Sequence, residues 1–186
     1  VSIGVFAVKA IGGSNFGNTD MSDETEVDKD YDKDREALDT DQLGNTILAE
    51  TDDAGQEYLD ETLFIGDSNT VRTMAYGFTT WDNVVAAVSM GVEHIQSLKM
   101  TYFKGYKNPV TAIDAVKIIQ PKRIIITYGT NDLFWDTDEF IKVYKEALAA
   151  IHEAYPYADI IVNAVPPLDK QRENTRLTMQ RVDEFN

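Results

Sequence analysis

A single serine stands where an apolar run breaks. Leu63 to Arg72 reads LFIGDSNTVR, with Ser68 directly after Gly66 and Asp67. A serine hydroxyl is a poor nucleophile unless a base takes its proton. Serine is also a favoured helix cap. Those two roles compete for Ser68. A second polar turn, Gly129-Thr130-Asn131-Asp132, ends the apolar run KRIIITY, and Gly91 ends a third run, NVVAAVSM. Taken alone, Asn131 could merely tolerate a left-handed turn, and Gly91 could be turn punctuation. The histidines are His94 and His152, and there is no cysteine. Disulfides, thiolate zinc sites and cysteine nucleophiles are therefore excluded.

The elements that must hold these residues alternate strand with helix from Glu61 onward. TLFIG predicts a first buried strand, followed by a helix over SNTVRTMAYGF with Ser68 near its N-terminus. NVVAAVSM predicts a second strand. PVTAIDAVKIIQ predicts a helix, with Pro109 at its start and Pro121 just past its end. KRIIITYG is apolar at consecutive positions, as a parallel strand covered on both faces should be. DTDEFIKVYKEALAAIHEAY is amphipathic and long, ADIIVNAVPP predicts a fourth strand, and ENTRLTMQRVDEFN starts a last helix. Such alternation predicts an α/β fold, a three-layer α/β/α sandwich on a parallel, flavodoxin-like sheet. Ligands of these sheets sit outside the carboxyl ends of the strands. Ser68, Gly91, the YGTND turn and the VPPLD turn all fall along that edge.

The chain of 186 residues has a formal charge of -15, unevenly spread. Ser14 to Glu61 holds 17 acidic residues against Lys29, Lys33 and Arg35, whereas the remainder carries a net charge of only -1. Without a basic stripe, nucleic acid has no electrostatic footprint here. Three regions follow: residues 1–13, 14–60 and 61–186. The first, VSIGVFAVKAIGG, is too short to span a bilayer, which takes roughly 20 apolar residues. It is expected to be the trailing end of a signal anchor, the plainer alternative being a short strand or a disordered stub. The second reads as an acidic flexible linker. It holds two partial calcium-loop matches. Asp28, Asp30 and Asp32 alternate, but Lys33 takes the place of the required glycine. Asp39, Asp41, Gly44 and Glu50 fall at suitable offsets, but Leu43 replaces an oxygen ligand. A solvated acidic spacer is the simpler account of both.

From Glu61 to Asn186 the sequence resembles the SGNH (GDSL-type) hydrolases. GDSN matches their first block, Gly91 the glycine of the second, and GTND the third; AVPPL looks like the loop after their fourth strand. GDS alone is a weak pattern. GDS at one strand end with G-x-N-D at another is specific. The resemblance implies serine esterase chemistry, with Ser68 as nucleophile and an acyl-serine intermediate. It also implies an oxyanion hole made of the Ser68 N–H, the Gly91 N–H and the Asn131 side-chain amide. Removing one such donor typically costs about 3–4 kcal/mol of transition-state stabilisation. Asp67, Asn69 and Asp132 are expected at the substrate-binding edge, the two aspartates tying loops together. No metal and no organic cofactor is implied. The substrate class is a small-molecule or polymer-bound acyl ester, such as an O-acetyl group on carbohydrate or cell-wall polymer. Transfer of the acyl group to another hydroxyl is the variant chemistry. The expected setting is extracellular or at the cell surface.

The family takes its base from a D-x-x-H motif near the C-terminus, after a fifth strand, and this sequence contains none. His152 sits near the end of a long helix, at the edge away from Ser68. His94 lies just past Gly91, on the right edge. The sequence stops in a helix before a fifth strand, so the expectation is a C-terminally incomplete hydrolase domain lacking its last strand and helix. Two rivals follow. One is a glycan-binding module of the same fold, without a base. The other is a flavodoxin-like nucleotide or flavin binder, which would want more glycine, serine and threonine after the first strand than GDSNTVRTM supplies.

Overall fold

The computed structural model describes residues 5–7, 52–100, 103–169, 174 and 177–186. The acidic segment and both calcium-loop matches, apart from residues 52–60, lie outside the described residues. In chain order the elements are β1 (Val5–Ala7), α1 (Gly55–Asp60), β2 (Thr62–Gly66), α2 (Ser68–Ala75), β3 (Val84–Ala86), α3 (Ala112–Ile119), β4 (Arg123–Thr127), α4 (Thr137–Ala154), β5 (Asp159–Asn163) and α5 (Met179–Phe185). Two 3₁₀ turns, Val92–His94 and Phe103–Gly105, interrupt the long β3–α3 connection.

One sheet runs in the order β1-β5-β4-β2-β3. β2 lies parallel to β3 and β4, and β4 parallel to β5, which makes the protein an α/β fold on a parallel sheet. α3 and α4 pack on each other, whereas α2 packs on β2 and β3. The crossover through α2 runs from β2 to β3, and those through α3 and α4 run the opposite way across the sheet; right-handed crossovers in opposite directions put these two sets on opposite faces. The result is three layers. On one face Leu63, Ile65, Ile124 and Ile126 are wholly buried, whereas the alternate residues Phe64 and Ile125 on the other face are half-buried. Ala115, Val116, Ala147 and Ile151 close over them from α3 and α4. Each buried valine, leucine or isoleucine contributes about 1.5–3 kcal/mol on burial, and each alanine about 0.8 kcal/mol or less.

Several boundaries differ from the expected ones. Val5–Ala7 is an antiparallel edge strand, with Phe6 paired to Val162, where the trailing end of a signal anchor was expected. Among the described residues no helix is long and apolar enough to cross a membrane. The folded body starts before Glu61. α1 is held because Arg123 stacks 3.7 Å over the Tyr58 ring and ion-pairs with Glu61, while Thr62 Oγ1 donates to Tyr58 O at 2.6 Å. β3 stops at Ala86, well short of Gly91; Ser89 turns the chain with φ 64. α3 starts at Ala112 and not at Pro109, because Thr111 and Asp114 form a reciprocal capping box with both bonds at 3.1 Å.

Candidate active site

Gly66, Asp67 and Ser68 turn β2 into α2 at the carboxyl edge of the sheet. Gly66 is required by close approach. A Cβ there would overlap the Thr70 side chain and lie 2.7 Å from Thr127 O. Asp67, and not Ser68, is the N-cap: its Oδ1 accepts from Asn69 N–H at 2.8 Å. Ser68 is the first residue of the helix, half-buried. Its hydroxyl and its N–H have no hydrogen-bond partner among the described residues. A helix N-terminus carries such unspent N–H groups and a partial positive charge.

The other two loops reach the same turn. Gly91 follows β3 with extended backbone (φ -101, ψ 176), so its residue type is not set by φ. It is set by crowding, because a Cβ at 91 would overlap the carboxylates of both Asp132 and Glu93. The Gly91 N–H, like that of Ser68, meets no acceptor among the described residues. Asn131 and Asp132 follow β4. Gly129, which starts this turn, has φ 122, a conformation left to glycine, and a Cβ on it would overlap Val165.

Four side-chain bonds lace the three loops together. Asn69 Nδ2 donates to Thr130 Oγ1 at 3.3 Å. Asn131 Nδ2 donates to Met90 O at 2.8 Å and to Asp67 Oδ2 at 3.3 Å. Asp132 Oδ1 accepts from Val92 N–H at 3.1 Å. Asp67 and Asp132 thus tie loops together from wholly buried positions, 0% and 1% exposed. The Asn131 amide is spent on protein acceptors. To donate to a substrate oxygen it must exchange the longer bond, the one to Asp67.

The electrostatics behind these loops were not visible in the sequence. Burial raises the Asp67 carboxyl above the ordinary range, against the Asn69 donors that lower it. Burial, reinforced by the charge of Glu93, pushes Asp132 up to about 6 although the Val92 N–H opposes it. Asp132 Oδ2 has no hydrogen-bond partner among the described residues. The Tyr144 hydroxyl is likewise without a hydrogen bond, and burial raises its pKa. Glu93 also touches His94, with Oε1 and Nδ1 3.0 Å apart but out of line for a hydrogen bond.

No imidazole is hydrogen-bonded to Ser68 among the described residues. His152 lies in the last turn of α4, beside Tyr155, which shares a cleft with Glu61, Pro121 and Lys122 at the opposite edge of the sheet. Among the described residues no cluster of histidine and carboxylate side chains could hold a metal ion. Glu93, Thr130 and Arg181, which support this site, went unrecognised in the sequence. Glu93 had one signal, since it lies two residues past Gly91 on a loop bound to share an edge with Asp132.

No protein-family model matches the sequence, and no curated protein is similar to it. A solved structure of undescribed function shares 17% identity over 67% of this chain and 72% of its own, with a TM-score of 0.39. A likeness that loose carries no argument.

Proposed function

We propose that this chain carries the nucleophile and oxyanion elements of an SGNH-type serine esterase. One observation carries the reading. With Asp67 taking the cap, Ser68 keeps both its hydroxyl and its N–H unspent at a helix N-terminus. A serine that merely capped the helix would have its oxygen on the N–H of the second or third helical residue. In the proposed reaction Ser68 Oγ adds to the ester carbonyl as its proton passes to solvent, which later protonates the departing alcohol. The oxyanion rests on the Ser68 and Gly91 N–H groups and, after exchange from Asp67, on the Asn131 amide. Collapse expels the alcohol and leaves acyl-Ser68, which water then hydrolyses. The substrate class is an acyl ester on carbohydrate or cell-wall polymer, in an extracellular or cell-surface setting.

The absence of an imidazole bonded to Ser68 favours a second reading, a glycan-binding module of the same fold. One experiment separates the two. The protein is incubated with p-nitrophenyl acetate and followed by nitrophenolate release and intact-protein mass spectrometry. Residual catalysis by the oxyanion hole and binding alone would be common to the wild type and Ser68→Ala, so the adduct decides: esterase chemistry predicts a transient acetyl group mapped to Ser68 and absent from Ser68→Ala. Release equal to that blank, with no adduct, would give the binding module the lead.

A further inference from the structure

The loop that carries Asn131 and Asp132 is held at its far end by a residue nearly fifty positions away. Arg181 of α5 donates through Nε to Leu133 O at 2.9 Å and through Nη2 to Trp135 O. Its Nη1 lies 3.4 Å from Thr137 Oγ1 and also pairs with Glu184. The guanidinium carbon sits 4.8 Å over the Phe185 ring, which fixes the plane of the fork. Packing reinforces the contact, because Leu133 and Val182 are buried together with Val165. Within the loop, Asp132 N–H donates to Gly129 O at 3.0 Å and Trp135 N–H to Asp132 O at 2.8 Å. These bonds make a tight turn whose exit is the part that Arg181 grips.

We propose that Arg181 is a positioning residue for the Ser68 reaction: by bonding the carbonyls of Leu133 and Trp135 it holds Asn131 and Asp132 against the Ser68 and Gly91 loops. The proposal rests on the esterase reading for its catalytic meaning, though not for its geometry. A planar guanidinium reaches two carbonyls at once and stays charged at any working pH. A lysine ammonium is a compact point charge that does not reproduce that fork. Small displacements of a catalytic loop cost rate far more than binding.

The test uses Arg181→Ala and Arg181→Lys in the full chain, with Ser68→Ala as the blank. Ser68-dependent kcat on p-nitrophenyl acetate should fall about tenfold in both variants while KM stays within about twofold. Added guanidinium should restore part of the kcat of Arg181→Ala. Independently, the side-chain amide resonances of Asn131 should shift in both variants. Those of Asn83, which donates to Leu59 O at 2.8 Å beside α1, should stay in place. An unchanged kcat with unmoved Asn131 resonances overturns the proposal. So does a kcat loss that only follows the unfolded fraction. If the wild type shows neither Ser68-dependent turnover nor an acetyl-Ser68 adduct, the esterase reading has failed separately, and the Asn131 resonances alone decide whether Arg181 positions the loop. Should Arg181→Ala fail to fold, Arg181→Lys, which keeps the stem and the charge, carries the same readouts.

Discussion

Asp132→Asn should stabilise this protein, and the gain should depend on pH. Asp132 is 1% exposed, its Oδ1 takes the Val92 N–H, and its Oδ2 faces no donor among the described residues. Burial first, and then Glu93, raise its pKa from 3.8 to about 6. A carboxyl with a raised folded-state pKa holds its proton more tightly folded than unfolded. Its contribution is therefore complete below about pH 4 and is lost as pH rises through about 6. A rise of about two units at 1.36 kcal/mol each sets a ceiling of about 3 kcal/mol. Relaxation of the loop around the charged form lowers that ceiling, so an observed loss of about 1–3 kcal/mol is expected. Asparagine mimics the protonated carboxyl at every pH, accepting from Val92 N–H and donating to Glu93. Urea unfolding of both proteins across about pH 4 to 7 reads the difference, and the other carboxylates cancel in the comparison. The variant's advantage should grow by that amount as pH rises, mostly below about 6. Parallel stability curves, or an advantage that shrinks with rising pH, would refute the reading that burial holds a proton on Asp132.

Three further outcomes follow from the same geometry. Asp67→Ala removes a helix cap and an acceptor of Asn131, and should cost about 1–2 kcal/mol in urea unfolding, whereas Ser68→Ala should stay within about 0.5 kcal/mol. Equal losses in the two variants would move the cap back to Ser68. Gly91→Ala forces two carboxylates away from the new methyl and strains the Val92–Asp132 bond. A loss of about 1–3 kcal/mol is expected, read as a lower thermal midpoint, and a neutral result would mean that the loop has room to spare. Gln120 closes α3 in the left-handed region, with φ 50. Gln120→Gly should therefore gain up to about 1 kcal/mol, and a loss would show that the glutamine side chain contributes more than its backbone costs.

The strands that needed only local information were legible. TLFIG and RIIIT are apolar at consecutive positions and bounded by turn residues, so both their type and their parallel setting could be read directly, although one face of RIIIT is only half-buried. The turn residues of the site were legible for the same reason, since each ends an apolar run. Ends were harder. Propensity carried the second strand on to Met90, but a left-handed Ser89 and the demands of the Gly91 loop stop β3 at Ala86. Thr111 starts α3 two residues after Pro109 because a capping box outranks a permissive proline. The division of labour between Asp67 and Ser68 hangs on the helix starting at Ser68 with Asp67 in extended backbone, a one-residue difference that composition does not encode. Arg181 and the Glu93–Asp132 contact are meetings of distant segments, and periodicity is silent about those.

The four lacing bonds have a consequence for how the site comes apart. Asn69, Met90, Asn131 and Asp132 belong to three loops far apart in sequence, yet none of the loops can lift without breaking a bond to another. Local openings cluster into cooperative units of this kind. The amides of the three loops should therefore exchange with deuterium at a common rate, slower than their places in turns suggest. Substitutions in different loops should also couple by about 0.5–3 kcal/mol instead of adding. An engineer who alters one loop of this edge has, in energetic terms, altered all three.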